Sequence, residues 1–402
     1  MKILFLGGVF AKENSLEVLS KSKSAVDFAA NIYQEKLIEG FKTIGCPLQV
    51  ISAPFIGAYP KSYTQAWFNG FKEPQQEYNY VNFCNVFAIR NHSRYRSVKD
   101  SLYDFIKIDD DEKLIVIYSA HTPFIKAASY AKRKDPRIKI CMIVLDLPQY
   151  MNLSSKQSLL YRCGKKLDIN QFKKYNLYVD SYLLLTEQMA EQIDVHGAPY
   201  IIQEGIVDPK DLLKLNIVSQ HSSEKTILYA GTLNEKYGIK TLVDAFNLIE
   251  SKQVRLVICG RGDSEEYISR IAKQDTRISY VGQVTPDEVK ELMKTADILV
   301  NPRPNNEIYT RYSFPSKNIE YLLTGRVVLG YKLDGMPDCY RQFMVIVKED
   351  GQGAVKNMYN ALVSSFAIEK YDNRSFMSYA KENLSADIVA KKIIELNKKY
   401  SR

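Results

Sequence analysis

Short apolar runs that alternate with stretches of helical periodicity constrain the fold of this 402-residue chain more than any other feature. Each run is rich in Val, Ile, Leu or aromatic residues, and most runs end at Gly, Pro, Asn or Asp. Near-continuous apolar runs are typical of strands buried on both faces, as in a parallel sheet covered by helices. The predicted strands are 3–6, 48–51, 114–118, 138–145, 182–185, 200–203, 226–230, 255–259, 278–281, 298–301, 327–329 and 344–347.

Helix-periodic segments between these runs, such as 24–42, 242–249 and 286–294, complete the pattern. Strands that alternate with helices predict two doubly wound α/β domains. The polar stretch that follows Val207 separates the two series, so we place the first domain at 1–207 and the second at 208–385. We expect the helix-periodic end of the chain, 386–402, to pack back on the first domain.

Charge and cysteine usage limit the partners and the compartment. The 55 Lys and Arg residues exceed the 46 Asp and Glu residues by 9, which favours anionic partners such as nucleotides, phosphates or an acidic membrane surface. The six cysteines form no CxxC pair, which indicates reduced thiols and no zinc site. The apolar runs are shorter than the ~20 residues of a membrane span, and no signal peptide is evident. The expectation is a cytoplasmic protein that at most touches the inner face of the plasma membrane.

Ligands of open α/β sheets bind beyond the carboxyl ends of the strands, so the loops at those ends are the candidate site. Gly7 and Gly8 follow the first strand, where they either let a phosphate approach the backbone or form a tight turn. They are not part of a GxGxxG motif, and no acidic residue ends the second strand. Both observations argue against a nicotinamide dinucleotide fold.

Glycines also end strands of the second half. Gly231 opens the segment AGTLNEKYG, in which Lys236 places a cation near a helix start, suited to a diphosphate or simply solvated. Gly282 turns a strand towards a helix whose predicted N-cap is Thr285. The backbone at Gly282 offers a flat surface for a planar base, or it is an ordinary turn.

The segment NPRPNNEIYTRYSFPSKNIEYLLTGRVVLGYKLDGMP carries the richest chemistry. After Phe314, Pro315 suits the start of a helix. Ser316 and Lys317 then bring hydroxyl, ammonium and N–H groups to the positive end of the helix dipole, which suits phosphate. Glu320 lies one turn on, where its carboxylate either accepts hydrogen bonds from a vicinal diol such as ribose or faces solvent.

FPSKNIEYLLTGRVVLGYKLDGMP, preceded by ADILVNPRP and YAGTLNEKYGIKTLVDAF, resembles the carboxy-terminal donor half of GT-B glycosyltransferases, specifically family 4. The resemblance covers roughly 226–337, and the amino half is similar in outline only. It implies two Rossmann-like domains facing across a cleft, with the Gly231 loop and Gly7-Gly8 near the donor diphosphate. It also implies that Glu320, the second glutamate of the family's Glu, seven residues, Glu motif, holds the donor ribose.

The sugar end of the implied site departs from the family. Tyr312 stands eight residues before Glu320, where the motif's first carboxylate contacts the transferred sugar, and Glu307 lies five residues earlier. His121, in IYSAHTP, falls where the family often keeps a histidine close to the reacting sugar. His121, Glu307 and Tyr312 are therefore the candidate catalytic residues, although a histidine after a strand is also a common structural hydrogen-bonding group.

The diphosphate end of the implied site departs from the family pattern as well. Thr232 replaces the arginine expected after the loop glycine, and Lys236 is one place off the expected position because KYG replaces KG. We expect Lys317, together with Arg303 or Arg311, to supply the missing positive charge.

The acceptor side is indicated by composition. Segment 55–105 mixes aromatic and basic residues, among them Trp67 and Arg94, and 155–175 is a second basic stretch. Such a surface suits anionic lipid headgroups and a polyprenyl-diphosphate-linked acceptor, or it is a solvated basic face. Asp146, at the end of a strand, is a further acceptor-side candidate. Because no recognition module is present, we expect no nucleic acid partner.

With the resemblance, the expected function is that of a retaining glycosyltransferase. It moves a sugar from a nucleoside-diphosphate sugar, with UDP as the first nucleotide expected, to a saccharide or lipid-linked acceptor. The expected pathway is bacterial surface polysaccharide synthesis. No cofactor or metal is expected, and the aspartates 109–111 are interpreted as solvated. Two alternatives stay open. One is a nucleotide-sugar epimerase or hydrolase of the same fold, and the other is a non-catalytic partner subunit, which Tyr312 and Thr232 favour.

Overall fold

The computed structural model describes residues 1–10, 15–23, 26, 28–71, 78–109, 112–147, 159–213, 224–368 and 373–399. The chain divides into two compact units. Unit 1 consists of Met1–Asp208 and Asn383–Arg402, and unit 2 of Pro209–Glu382. Each unit is built on a parallel sheet, of seven strands in unit 1 and six in unit 2, with helices between most successive strands. This confirms the predicted α/β class with two doubly wound domains.

The elements are numbered in chain order. The strands are β1 Lys2–Gly7, β2 Leu48–Ser52, β3 Trp67–Phe68, β4 Tyr78–Tyr80, β5 Phe83–Cys84, β6 Lys113–Tyr118, β7 Ile138–Val144, β8 Ser181–Leu184, β9 Tyr200–Ile202, β10 Lys225–Ala230, β11 Val254–Cys259, β12 Ile278–Gly282, β13 Ile298–Asn301, β14 Val327–Gly330 and β15 Val345–Ile346. The α-helices are α1 Ser15–Lys21, α2 Phe28–Thr43, α3 Arg90–Ser101, α4 Tyr103–Lys107, α5 Thr122–Lys134, α6 Leu159–Asn176, α7 Met189–Ile193, α8 Pro209–Leu213, α9 Ile239–Asn247, α10 Glu265–Gln274, α11 Pro286–Thr295, α12 Lys317–Leu323, α13 Ala354–Phe366, α14 Arg374–Tyr379 and α15 Ala386–Lys399.

The main sheet of unit 1 has the order β4-β2-β1-β6-β7-β8-β9. Its central strands are mostly apolar and are buried along almost their whole length, as strands covered by helices on both faces are. Helix α15 packs against α2 and brings Val389, Ala390 and Ile393 into the same core cluster as Leu37 and Phe41. The end of the chain therefore completes the helical layer of unit 1.

The sheet of unit 2 has the order β12-β11-β10-β13-β14-β15. The chain runs outward from β10 through β11 and β12, and then returns to the other side of β10 with β13. All neighbouring pairs of this sheet are parallel. The carboxyl ends of β10 and β13 therefore meet at a topological switch point, the place where open α/β sheets bind ligands.

The structure confirms the twelve predicted strands to within one residue at each end. It also confirms Thr285 as the N-cap of α11, where its hydroxyl accepts the Glu288 N–H and the Glu288 carboxylate accepts the Thr285 N–H. The predictions missed β3, β4 and β5, which lie within the aromatic and basic segment 55–105. They were missed because strands of two or three residues show no periodicity.

A buried ion pair fixes the start of β6. The Lys113 side chain is fully buried, and its ammonium contacts the carboxylate of Asp135 and donates to the carbonyl oxygens of Ile106 (3.0 Å) and Ile108 (2.7 Å). Asp135 ends α5 and also accepts from Arg137 at 3.0 Å. Hydrogen bonds from Arg137, and then from Lys113, hold the pKa of the Asp135 carboxyl well below its usual range.

Unit 2 repeats the contact between the aspartate and the arginine of this arrangement. Asp275 ends α10 and accepts from Arg277 at 3.0 Å, as Asp135 does from Arg137. The lysine has no counterpart there. Lys113 pairs in register with the first residue of β7, and the corresponding partner of Ile278 in β12 is Leu256.

Candidate functional site

Helix α12 is fixed to the switch point of unit 2 by hydrogen bonds to two strands. The Tyr321 hydroxyl accepts the Ala230 N–H (3.1 Å) and donates to the Ala230 carbonyl (3.2 Å) at the end of β10. The Asn301 amide, at the end of β13, donates to the Asn318 side chain (2.7 Å). These hydrogen bonds on the buried face of α12 therefore fix the position of its exposed face.

That exposed face carries a charge pair. The Lys317 ammonium lies 3.6 Å from the Glu320 carboxylate, and the two side chains are 39% and 54% exposed. Ser316, just before them, is exposed as well. The Asn318 N–H donates to the Pro315 carbonyl (2.8 Å), so the first turn starts at the proline, as the sequence predicts. One carboxylate and one ammonium thus stand side by side where a ligand of the sheet would lie.

The loop after β10 passes very close to the loop after β11. Gly260 has φ of +136°, and a Cβ on it would lie 1.7 Å from the Gly231 carbonyl oxygen. The Gly231 N–H donates to Cys259 (3.0 Å). Thr232 and Lys236 both point outward as exposed side chains. The loop after β10 therefore presents its polar side chains, while Gly260 of the neighbouring loop allows the two backbones to pack closely.

We expect Gly260→Ala to destabilise unit 2 by at least about 2 kcal/mol, because the methyl group adds a backbone clash to an unfavourable φ. Gly351→Ala is the matched control, since Gly351 has φ of +82° and no atom within 4 Å of the added Cβ. It should cost about 1 kcal/mol, from φ alone. Urea unfolding measures both, and equal losses would contradict the close-packing argument.

The loop after β13 holds one of the two arginines offered by the sequence. The Arg303 guanidinium lies over the rings of Tyr237 (5.3 Å) and Tyr309 (5.0 Å) and donates to the Ser313 hydroxyl (2.9 Å). Its Nε is buried with no partner in the described part of the chain. Arg311 instead lies 3.6 Å from the carboxylate of Asp334. Of the two arginines, Arg303 is therefore the one whose guanidinium pairs with no carboxylate among the described residues.

The remaining candidates of unit 2 lie around this loop. Glu307 is half-buried and precedes the 3₁₀-helix Ile308–Tyr312, whose last residue, Tyr312, is also half-buried. Phe314 is only 7% exposed, with its ring 5.1 Å from that of Tyr340, so it packs in the unit's interior. At Gly282, φ is +74° and the space beside the backbone is open, as a stacked base would require.

Gly7 and Gly8 of unit 1 leave space for the side chains of Gln34 and Phe55. The Gly8 N–H donates to the Gln34 amide oxygen (2.9 Å), and a Cβ on Gly8 would lie 2.4 Å from the Phe55 ring. A Cβ on Gly7 would lie 2.3 Å from the same Gln34 oxygen. The N–H of Gly8 is thus engaged within the unit, and a phosphate could use it only by displacing Gln34.

His121 occupies a constrained, apolar position at the start of α5. It follows Ser119, a non-glycine residue with φ of +73°, a strained backbone of the kind found at functional sites. The imidazole lies between the rings of Phe55 (5.4 Å) and Phe124 (4.4 Å), and its Nδ1 is buried without a partner among the described residues. Burial, and then the nearby charge of Arg94, lower its pKa well below the usual range, so the ring is neutral at pH 7.

Arg94 was predicted to lie in a basic and aromatic surface, and this prediction is wrong because Arg94 is buried. The residue is 2% exposed, and its guanidinium donates to the Pro54 carbonyl (2.7 Å) and lies 4.4 Å from the Phe83 ring centre. Burial, with a contribution from the charge of Arg90, lowers its pKa to about 9. Val98 and Leu102, four and eight residues on, are buried, and that spacing could have placed Arg94 on the inner face of α3.

The acceptor-side candidates are solvent-facing. Trp67 is 59% exposed on β3, and Asp146 is exposed after β7. Asp109 is almost fully exposed and pairs with Arg137, whereas residues 110 and 111 lie outside the described residues. Within the described ranges, no three His, Cys, Asp or Glu side chains are grouped to hold a metal ion, and no helix has the length and apolar character needed to cross a bilayer.

Comparisons with known proteins bear on the whole chain and on unit 2. Residues 224–363 match the family model of group 1 glycosyl transferases. An uncharacterized glycosyltransferase of Methanocaldococcus jannaschii is 25% identical over 179 residues, a match that spans 43% of this chain and 43% of that protein. The match therefore covers less than half of this relative.

Solved structures match over nearly the full length. The lipopolysaccharide outer core galactosyltransferase WaaB, in its apo form, has a TM-score of 0.64 at 14% identity, with 99% of each chain covered. Anabaena HepE in complex with UDP has a TM-score of 0.56 at 14% identity, with 99% of this chain and 100% of that chain covered. At this level of identity the similarity shows the fold.

Proposed function

We propose that this chain, which has the GT-B fold and carries a group 1 glycosyl transferase segment in unit 2, transfers a sugar from a nucleoside-diphosphate sugar to a saccharide or lipid-linked acceptor. The observation that carries the proposal is the position of α12. Hydrogen bonds to β10 and β13 hold the exposed pair of Lys317 and Glu320 at the switch point of the sheet. The Anabaena structure was obtained with UDP, which supports UDP as the first donor to test.

The proposed donor contacts follow from the chemistry of the exposed side chains. The Glu320 carboxylate accepts two hydrogen bonds from the ribose diol. Lys317, supported by Arg303, lies against the diphosphate, on which negative charge builds as the glycosidic bond breaks. The base lies on the open backbone at Gly282. This arrangement uses the protein's own cations, so the proposed reaction needs no metal ion.

The sugar end is proposed to use His121 and Glu307. A neutral imidazole in an apolar environment can donate to or accept from a sugar hydroxyl at pH 7. Tyr312 takes the position of the first carboxylate of the family motif, and Glu307 is the nearest preceding carboxylate in the same loop. Retention of configuration is proposed on the family resemblance alone.

The acceptor is proposed to be a polyprenyl-diphosphate-linked saccharide, as in bacterial surface polysaccharide synthesis, used at the inner face of the plasma membrane. Exposed apolar side chains support this. Trp67, Phe87 and Ile89 are 59%, 58% and 51% exposed in the segment around β3 and β5. Trp and other apolar side chains beside basic residues are typical of contacts with an anionic lipid surface.

A non-catalytic GT-B partner subunit is the second candidate, favoured by the absence of a carboxylate at Tyr312 and of an arginine at Thr232. It would bind UDP without transferring or slowly hydrolysing any UDP-sugar. Single-turnover assays with a panel of UDP-sugars distinguish the two candidates, because released UDP is expected only from the transferase.

The deciding experiment is a calorimetric and thermal-shift screen of nucleotides and nucleotide sugars without added metal. We expect Glu320→Ala to weaken UDP binding about tenfold, because two charge-assisted hydrogen bonds to the ribose are lost. Glu291→Ala is the matched control, since Glu291 forms a similar pair with Lys294 (2.6 Å, i,i+3) on α11. Binding that Glu320→Ala leaves unchanged would show that the donor site lies elsewhere.

A further inference from the structure

The positive charge of the chain is concentrated on one group of helices in unit 1. Helices α3, α5 and α6 together carry thirteen Lys and Arg residues against two acidic residues, Asp100 and Asp168. Their surplus of 11 is larger than the surplus of 9 of the whole chain, so the rest of the chain is slightly acidic. The helices α2 and α15 of the same unit carry six basic and four acidic residues. The surplus is therefore a local feature of three helices.

These three helices form a continuous layer, because α5 contacts both α3 and α6. The ammonium of Lys126 on α5 lies 4.2 Å from the ring centre of Tyr95 on α3 and 5.9 Å from that of Tyr175 on α6. The ammonium of Lys99 on α3 lies 5.6 Å from the ring centre of Tyr130 on α5. The tyrosines are half-buried, so these contacts hold the charges side by side across the helices. We call the outer surface of α3, α5 and α6 the basic layer.

The two acidic residues neutralise little of the basic layer. Asp100 pairs with Lys99 (3.2 Å), and Asp168 is half-buried and hydrogen-bonds to Thr122 of α5. Without nearby carboxylates, a surface of like charges attracts an anionic surface. The exposed cations that form no ion pair with any described residue are Arg96, Arg133, Lys134, Lys166, Lys173 and Lys174.

Apolar side chains are exposed among these charges. Leu167 on α6 and Leu177 just after it are 64% and 65% exposed, and Phe87 and Ile89 are exposed just before α3. Leu167 lies two turns from Lys174, on the same side of α6. A bilayer takes up apolar side chains at its headgroup boundary while lysines reach the lipid phosphates, whereas an exposed leucine gains little from a phosphate backbone. The combination favours an anionic lipid surface over a nucleic acid.

We propose that the basic layer docks the protein on a membrane surface that is rich in anionic phospholipids. The inference deepens the proposed function and rests on it, because the lipid-linked acceptor proposed there brings the enzyme to a membrane. Each lysine or arginine near an anionic bilayer strengthens binding about fivefold, and this attraction falls off within about 8 Å in physiological salt. Shallow insertion of Leu167 and Leu177 adds an apolar contribution that salt does not screen.

Co-sedimentation of the full chain with two kinds of lipid vesicle tests the proposal. One kind is phosphatidylcholine alone, and the other contains about one third phosphatidylglycerol, which is anionic. We expect adsorption to the anionic vesicles that weakens as KCl is raised, and little adsorption to the neutral ones. Equal adsorption to both kinds, or none to the anionic vesicles, would overturn the proposal.

Lys166→Gln combined with Lys173→Gln removes two exposed charges that lie two turns apart on α6. We expect this double variant to adsorb to the anionic vesicles about 25-fold more weakly, at about fivefold for each lysine. Lys290→Gln combined with Lys294→Gln is the matched control, because it removes the same charge from α11, where both lysines pair with acidic residues (3.7 and 2.6 Å). The control should adsorb as the wild type does. Equal weakening in the two double variants would show that net charge alone decides, and would overturn the proposal.

Leu167→Gln separates a lipid surface from a nucleic acid. We expect it to weaken adsorption to the anionic vesicles about tenfold, because an apolar side chain no longer enters the headgroup boundary. Leu248→Gln, at an exposed leucine of unit 2, is the control and should adsorb as the wild type does. An oligothymidylate is the second probe. If Leu167→Gln leaves vesicle adsorption unchanged while the double lysine variant of α6 loses oligothymidylate binding, the basic layer serves a nucleic acid and the proposal is overturned.

Titrations with UDP distinguish a failure of this inference from a failure of the proposed function. Lys166 and Lys173 lie outside the candidate donor site, so their double variant should bind UDP as the wild type does. UDP binding without adsorption to anionic vesicles would contradict the docking and leave the proposed function intact. Adsorption without any UDP binding would support the docking and contradict the proposed donor site.

Discussion

Lys317→Ala is expected to lower turnover of the nucleotide sugar about 100-fold, the largest catalytic effect we expect from one side chain. The ammonium stands on the exposed face of α12, which is tied to β10 and β13. Under the proposed function it is therefore preorganised for the charge that develops on the leaving diphosphate. A preorganised cation stabilises the transition state more than it stabilises the bound substrate. The loss should therefore appear in kcat more than in KM.

Uridine and UDP separate the role of Lys317 from that of Glu320. Because uridine has the ribose and lacks phosphate, Lys317→Ala should bind it as the wild type does and bind UDP more weakly. Glu320→Ala should weaken the binding of both. Lys294→Ala, which removes the lysine of the similar Lys294–Glu291 pair, is the control. Unchanged UDP affinity and turnover in Lys317→Ala would exclude this lysine from the diphosphate site.

Asp135→Asn should reduce the free energy of unfolding of unit 1 by about 3 kcal/mol, because it leaves the fully buried ammonium of Lys113 without a counter-charge. Asp275→Asn is a control supplied by the chain itself. Asp275 makes the same contact with Arg277, but Leu256 stands where unit 1 has the lysine. It should cost about 1 kcal/mol. Urea unfolding of both variants measures the difference, and equal losses would contradict the role of Lys113.

The same carboxylate gives stability a pH dependence. The pKa of Asp135 is lower in the folded protein than in the unfolded chain, so its contribution is fully present above the unfolded pKa of about 4. The contribution disappears as the pH falls below that value through the folded pKa. Asp135→Asn should therefore flatten the loss of stability of unit 1 between pH 5 and strongly acidic pH, relative to the wild type. An unchanged acid limb in the variant would contradict this account.

The fold was predictable where burial dominates. The central strands are buried on both faces, so their apolar runs are nearly continuous, and most of the predicted runs end at a Gly, Pro, Asn or Asp. β3 and β5 were not predictable, because they pair over two residues each, Trp67 with Cys84 and Phe68 with Phe83. Nothing in so short a segment distinguishes a strand from an aromatic loop.

The geometry of the candidate site was predictable in part. The spacing of Lys317 and Glu320 follows from helical geometry alone, and the structure brings the two side chains together. The hydrogen bond from Gly8 to Gln34 and the burial of Arg94 arise from packing between segments far apart in sequence. An arginine among aromatic residues gives the same sequence pattern whether it lies on the surface or in the interior.

The order of the chain has a consequence for biosynthesis. Residue 207 and the segment before α15 are joined by hydrogen bonds, from the Val207 N–H to Leu384 (2.8 Å) and from the Ala386 N–H to Val207 (3.0 Å). Unit 2 is thus an insertion whose ends are held together.

During translation, the apolar face of α2 leaves the ribosome long before α15, which must cover it. Unit 2 is continuous in sequence and can fold as soon as it has been synthesised. Unit 1 cannot complete its core until α15, which follows Pro209–Glu382 in the chain, has been synthesised. We therefore expect the nascent first half to be prone to aggregation until α15 has been made.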